Sequence, residues 1–359
     1  GTNPFGANPF GANPFGANPF GANPFGANPF GANPETGGDV VTNPARLFAS
    51  GRARPETAAF RATGLRHHSA HPATAPVLST APAALAGADG SPTIVVIDTG
   101  IAGGDFLPAS LAGVVESIES ATRTGPPIPA QEIPDEDPTD GRIDPVAGHG
   151  TFIAGLIDRI VPGSHIEVSG LLNGRGDAKE ADIVATLNTL SDRDPAPELL
   201  NLSFGGYTAV EMGVLAGAVR KLQAKGTVVV ASAGNDASCR PSFPAAFPGV
   251  VSVGALGPSG PAHFTNYGPW VRACAPGVDV VSAFFEWDPK QGNSDLKEWV
   301  RWSGTSFAAP AVVGALARAM GDGVLTAREA VERVIDDRGL FRMPGLGTVV
   351  NQTPWFVRG

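Results

Sequence analysis

Two hydrophobic rhythms alternate along the middle of the chain. Short apolar runs rich in β-branched residues, TIVVID (93–98), HIEVSGLL (165–172), ELLNLSF (198–204), TVVVASAG (227–234) and GVVSVGAL (249–256), predict buried strands. Between them FIAGLIDRI (152–160), EADIVATLNTL (180–190) and AVEMGVLAGAVRKLQAKG (209–226) carry apolar residues at helical spacing. Strands alternating with helices predict an α/β fold: a parallel sheet flanked by helices on both faces. In such sheets functional residues gather at the carboxyl ends of strands, so the residues just after each apolar run carry the most information.

The rhythm is absent before residue 91. Residues 3–32 are six copies of NPFGA, followed by a degenerate unit, NPETG, at 33–37. Each copy has the Asn, Pro and Gly spacing of a type I turn and nothing that could bury a core, so 1–38 is expected to be a disordered low-complexity repeat. It reads as a spacer; the alternative is multivalent display, because Asn-Pro-Phe is a peptide-ligand motif for adaptor domains. Residues 39–90 hold five Arg (46, 52, 54, 61, 66), three His and an Ala/Pro-rich end. They read as a linker or propeptide-like segment with a short helix near 45–62. The remaining domain is expected to span 91–359.

Composition narrows the function. Of 359 residues 42% are hydrophobic and 16% charged, enough to bury a sizeable core. The net charge of −9 argues against general nucleic-acid binding. No apolar run approaches the roughly 18 residues of a membrane span. The first residue is Gly1, which reads as a processed or recombinant product, and no signal peptide is visible. Two cysteines, Cys239 and Cys274, cannot make a zinc site alone; one disulfide and two buried thiols both remain open.

Four residues at element boundaries stand out. Asp98 ends the first strand, and a carboxylate directly after an apolar run needs a partner. His149 lies between two glycines where a helix pattern starts. Asn235 follows TVVVASAG. Ser306 opens SFAAPAVVGALARAM, whose small residues imply close packing and a buried helix N-terminus that favours negative charge. Each alone has a structural reading, as cap or turn residue. Together they are the groups serine nucleophilic catalysis needs: a base, a carboxylate that fixes its tautomer, a nucleophile and an oxyanion donor.

VIDTGI around Asp98, GHGTFIAG around His149, ASAGN ending at Asn235 and SGTSFAAPAVVG around Ser306 resemble the motifs of the subtilisin-like serine peptidases, in the order Asp, His, Ser. The resemblance covers about 91–335. It implies a subtilisin-like sheet and endopeptidase activity without a cofactor. Asp98 would orient His149, the general base and later acid; Ser306 would attack; Asn235 and the Ser306 N–H would hold the oxyanion. It further implies that Ser203, Phe204 and Gly205 pair with substrate backbone, with Gly176 on the opposite edge. Ser242 would stand behind a first specificity pocket of moderate depth, Asp236 near its rim, and the Phe243–Pro244 peptide would be cis. Phe152 replaces a second His common in the family, at a position that is not catalytic. Export to the medium or cell surface is the family habit, with a cytoplasmic location as the alternative.

The acidic stretch QEIPDEDPTDGRID (131–144) sets six carboxylates against Arg142. The general reading is a solvated loop. The alternatives are a calcium site, a rim that repels acidic substrates, or a loop that pairs with the Arg-rich 46–66 segment, which would make the N-terminal segment inhibitory. No EF-hand pattern is present and no metal is assigned. Two other functions compete: a catalytically silent binding module on the same fold, and an interaction protein acting through the NPF repeats. Retention of the His in GHGT speaks against a serine-carboxyl peptidase, and IDTGIAGG lacks the spaced glycines of a nucleotide site.

Overall fold

The run TIVVID faces apolar clusters on both sides of a sheet. Ile94 and Val96 enter one cluster, Val95 and Ile97 the other, and all four are inaccessible to water. Alternation of side chains along a strand, with both faces covered, explains why the run is continuously hydrophobic. The computed structural model describes residues 59–62, 70–73, 91–103, 107–128, 131–132, 143–208, 212–285, 298–321 and 323–350. The NPFGA repeat lies outside these residues.

In chain order the strands begin with β1 (Ala59–Ala62), β2 (His71–Pro72), β3 (Thr93–Asp98), β4 (Ile101–Ala102), β5 (Val115–Ile118) and β6 (Gln131–Glu132). Next come β7 (His165–Gly170), β8 (Asp177–Lys179), β9 (Leu199–Leu202), β10 (Phe204–Gly205), β11 (Val228–Ser232) and β12 (Val251–Gly257). The last are β13 (Gly260–Pro261), β14 (Ala273–Pro276), β15 (Val280–Ala283), β16 (Trp299–Trp302), β17 (Arg342–Met343) and β18 (Gly347–Val349). Four helices position the site: α1 (His149–Ile160), α2 (Glu180–Ser191), α3 (Gly213–Ala224) and α4 (Thr305–Met320).

The main sheet runs β17-β18-β14-β12-β11-β9-β3-β7-β5, with β13 paired to β12. Every pair from β18 to β5 is parallel. From β3 the chain winds to β7 on one side, then crosses to β9 and continues outward on the other. The order therefore reverses between β3 and β9, the position where sheets of this kind bind ligands at the carboxyl ends of their strands. One face is covered by α1 and α4, the other by α2 and α3. Helices α1 and α4 approach closely because Gly314 lies against Ile160: a Cβ there would come within 2.6 Å of its side chain.

Three expectations change. The run 198–204 is not one strand: β9 stops at Leu202, and Phe204–Gly205 pair in another sheet. The switch falls at Ser203, whose hydroxyl turns inward to the Ser306 carbonyl. The run 165–172 stops at Gly170, because the Leu171 and Leu172 N–H groups both donate to the Asp98 carbonyl. Residues 59–62, placed in a short helix by sequence, form the central strand of the sheet β10-β1-β8, and β2 pairs with β16. Cys239 and Cys274 are not bonded to each other. Cys239 is exposed, and burial pushes the Cys274 thiol up to about 12.

Candidate active site

Asp98 is the last residue of β3, beside the reversal in strand order, and is fully buried. Its Oδ1 accepts from the Thr99 N–H at 2.8 Å and from His149 Nδ1 at 2.6 Å. His149 opens α1, and the flanking glycines allow that approach. A Cβ at Gly150 would stand 2.1 Å from the Gly100 carbonyl oxygen, and Gly148 has φ +80 with the Phe284 ring where a Cβ would go. Only glycine fits at either position. The imidazole sits against Trp302 and Phe307, with ring centroids 5.5 and 5.3 Å away. Its Nε2 is buried with no hydrogen-bond partner.

Ser306 is the second residue of α4, whose first turn is wholly buried. Its hydroxyl donates to the Ser203 carbonyl at 3.1 Å rather than to His149. The Ser203 hydroxyl in turn donates to the Ser306 carbonyl at 2.8 Å and accepts from Asn201 Nδ2 at 2.9 Å. Asn235 lies just beyond β11. Its Oδ1 accepts from both the Thr305 N–H and the Thr305 hydroxyl, each at 2.9 Å. With the oxygen so held, the amide nitrogen is buried and has no partner. Thr305 also accepts from the Gly234 N–H at 3.1 Å, so one side chain ties the start of α4 to the turn after β11.

The remaining sequence candidates fall into two groups. Phe204 and Gly205 form β10, and Gly176 precedes β8, the opposite edge. Both edges pair antiparallel with β1: Arg61 lies across from Gly205 and Asp177, Ala62 from Phe204, and Phe60 from Ala178. Ser203 is outside that pairing and fully buried. Ser242 is buried, and Phe243 beside it exchanges two 2.9 Å backbone bonds with Gly206, so the segment stands behind β10. The Phe243–Pro244 peptide is cis, as the resemblance implies. Asp236 is exposed and accepts from the Tyr207 hydroxyl at 2.9 Å. Burial, and next the Asp236 charge, push that phenol well above its ordinary range. Asn266 supports the same corner, donating to Tyr207 and the Ala233 carbonyl while accepting from the Asp236 and Ser238 N–H groups.

Sequence reasoning missed Thr305, though it stands in the quoted SGTS beside Ser306. It also missed Glu132, grouped with the solvated acidic stretch: Glu132 is buried, and its Oε1 accepts from the Gly148 N–H at 2.7 Å. Residues 133–142 lie outside the described residues. Among the described residues no group of three or more His, Cys, Asp or Glu could hold a metal ion, and no helix is long and apolar enough to cross a membrane.

The mainly parallel sheet in this order, with helices on both faces, is a subtilisin-like architecture. The subtilase family model matches residues 89–335, and the chain belongs to that family. It is 32% identical over 240 residues to a thermophilic serine proteinase of Bacillus sp. (strain AK1), covering 63% of this chain and 55% of that protein. A cold-adapted subtilisin-like serine proteinase has a similar crystal structure, with TM-score 0.53 and 23% identity over 74% of this chain and 90% of that one. A lanthipeptide protease superposes with TM-score 0.59 and 21% identity, covering 72% of this chain and 85% of that one. The chain spans about half the length of the curated relatives it matches.

Proposed function

We propose that this protein is a serine endopeptidase in which Ser306 attacks the scissile carbonyl, His149 moves the proton and Asp98 holds His149. The observation that carries the reading is a pair of buried nitrogens without partners, His149 Nε2 and Asn235 Nδ2, on side chains that touch Phe307 and Thr305, the two neighbours of Ser306. A buried polar atom left unpaired is costly, and such sites are kept where a reacting group completes them. Rotation of the Ser306 hydroxyl from the Ser203 carbonyl brings its proton to Nε2. Attack by Oγ makes a tetrahedral adduct whose negative oxygen takes the Asn235 N–H and the Ser306 backbone N–H, at the positive end of a 16-residue helix. The imidazolium returns the proton to the departing amine, and water repeats the sequence on the acyl-enzyme.

Substrate in this reading lies extended between β8 and β10. Support comes from the chain itself, since β1 occupies that position with both neighbours antiparallel. Main-chain pairing of this kind binds any sequence in extended form and leaves selectivity to side-chain pockets. The same pairing makes the segment around 59–62 an intramolecular inhibitor that must leave before substrate enters. A catalytically silent binding module draws on the Ser306 hydroxyl being turned towards Ser203. Labelling with a fluorophosphonate separates the two. Covalent modification of Ser306 in the parent, absent in Ser306→Ala and His149→Ala, is expected. A folded parent that stays unlabelled, with or without residues 1–88, overturns the peptidase reading.

A further inference from the structure

A second buried carboxyl stands beside the Asp98–His149 pair, and the proton transfers above do not use it. Glu132 is 8% exposed and lies on β6, which pairs with β4, the strand that follows Asp98 in the chain. Its Oε1 accepts from the Gly148 N–H at 2.7 Å, while Oε2 is buried with no partner. Gly148 precedes His149 at the α1 N-terminus, where backbone N–H groups need acceptors, and its own residue type supplies no side-chain cap. On the other side of His149 the Gly150 N–H donates to Thr99 Oγ1 at 3.0 Å, and at the next residue Thr151 Oγ1 accepts from the Ala102 N–H at 3.1 Å.

We propose that Glu132 is a positioning residue for His149: with Thr99 it clamps the residues on either side of the imidazole, so that the ring stays aligned with Asp98 and faces Ser306. The inference rests on the reading of His149 as the base. A buried carboxyl costs far more than an apolar side chain unless its acceptor is needed, which argues against a merely space-filling role. Burial pushes Glu132 well above the usual carboxylate range. The Gly148 N–H and the Thr99 hydroxyl oppose that push, and the charges of Asp98 and Asp144 add to it. What Gly148 needs is the acceptor that Oε1 supplies, and that role requires no charge on Glu132.

The test is the second-order rate constant for fluorophosphonate labelling of Ser306 in the full-length chain, from about pH 5 to about pH 9, a range that spans histidine titration. Labelling is followed to completion on the fraction shown folded by circular dichroism, so that a permanently unfolded fraction lowers the amplitude and not the rate constant. Glu132→Gln keeps an acceptor at the same reach and is expected to match the parent in rate and in the position of the acid limb. Glu132→Asp, one methylene too short, and Glu132→Ala are expected to label about 10–100-fold more slowly. The inference is overturned if Asp and Ala label at the parental rate, or if Gln slows as much as they do. It is also overturned if Gln moves the acid limb to lower pH, since Glu132 would then act on His149 by charge and not by position. Should Ala fail to fold, the contrast between Gln and Asp decides alone. A parent that labels neither at full length nor after removal of residues 1–88 sinks the reading of His149 as base, a result distinct from all of these.

Discussion

His149 Nδ1 lies 2.6 Å from Asp98 Oδ1, and neither side chain reaches water. The residues are 51 positions apart and meet because Gly148 and Gly150 let the start of α1 lie against the end of β3. Asp98 can accept only from an Nδ1–H, which puts the lone pair on Nε2, the nitrogen without a partner. Asp98→Asn keeps the shape and can select the other tautomer. Its kcat is expected to fall about 10⁴-fold with little change in KM, read by steady-state kinetics on a peptide substrate.

Asn235→Ala removes the amide whose oxygen Thr305 holds. In subtilisin, loss of the corresponding donor lowers kcat about 10²–10³-fold, and the same size is expected here. KM should hardly move, because the proposed role of the amide is confined to the developing oxyanion. A change confined to KM would assign Asn235 to ground-state binding instead.

Thr305→Val strips a hydroxyl that bridges Asn235 Oδ1 and the Gly234 N–H. The Gly234 N–H is left buried and unpaired, at an expected cost of about 1–3 kcal/mol in urea unfolding. Measurement in a Ser306→Ala background avoids self-digestion. Thr305→Ser should restore both stability and, in the active background, kcat.

Asp158 should make stability pH-dependent. Burial raises its carboxyl to about 6 from 3.8, against the pull of Arg159, which burial in turn lowers to about 10. A raised native value means that the folded chain holds this proton more tightly than the unfolded chain. Its favourable contribution is complete below the ordinary carboxylate range and is lost as pH rises to about 6. Asp158→Asn, again with Ser306→Ala, should therefore raise Tm increasingly from pH 4 to pH 6 and by a constant amount above it. An equal change at every pH would remove Asp158 as the cause.

The strand β1 sits where substrate is expected, so releasing it should raise turnover. Removing residues 1–88 tests this, and so does Arg61→Pro in the full chain, which takes one N–H out of the strand between Gly205 and Asp177. A synthetic peptide of residues 55–66 should then inhibit the released enzyme competitively. Unchanged turnover and salt dependence after both changes would dismiss the inhibitory role.

The α/β alternation was legible because strand and helix periods are local. Thr93–Asp98 matches its apolar run from end to end, and Glu180–Ser191 extends its own by one residue. The four candidate residues were legible for a similar reason: small residues and glycines around them announce close backbone approach. Where the runs misled, the cause was a distant partner. Leu171 and Leu172 look like strand but give their N–H groups to Asp98, and Ser203 looks like strand but turns to Ser306, 103 residues on.

Sequence by itself determined the residue types at the strand ends and helix starts, because turn chemistry and hydrophobic period are written in neighbouring positions. Only the tertiary structure decided which partner each polar atom takes. It holds Asn235 by its oxygen and leaves the nitrogen open, and it turns the Ser306 hydroxyl to Ser203. It buries Glu132 under the helix that carries His149, and seats 59–62 between β8 and β10. Desolvation and hydrogen bonding depend on what the rest of the chain brings within about 3 Å, and no local pattern encodes that.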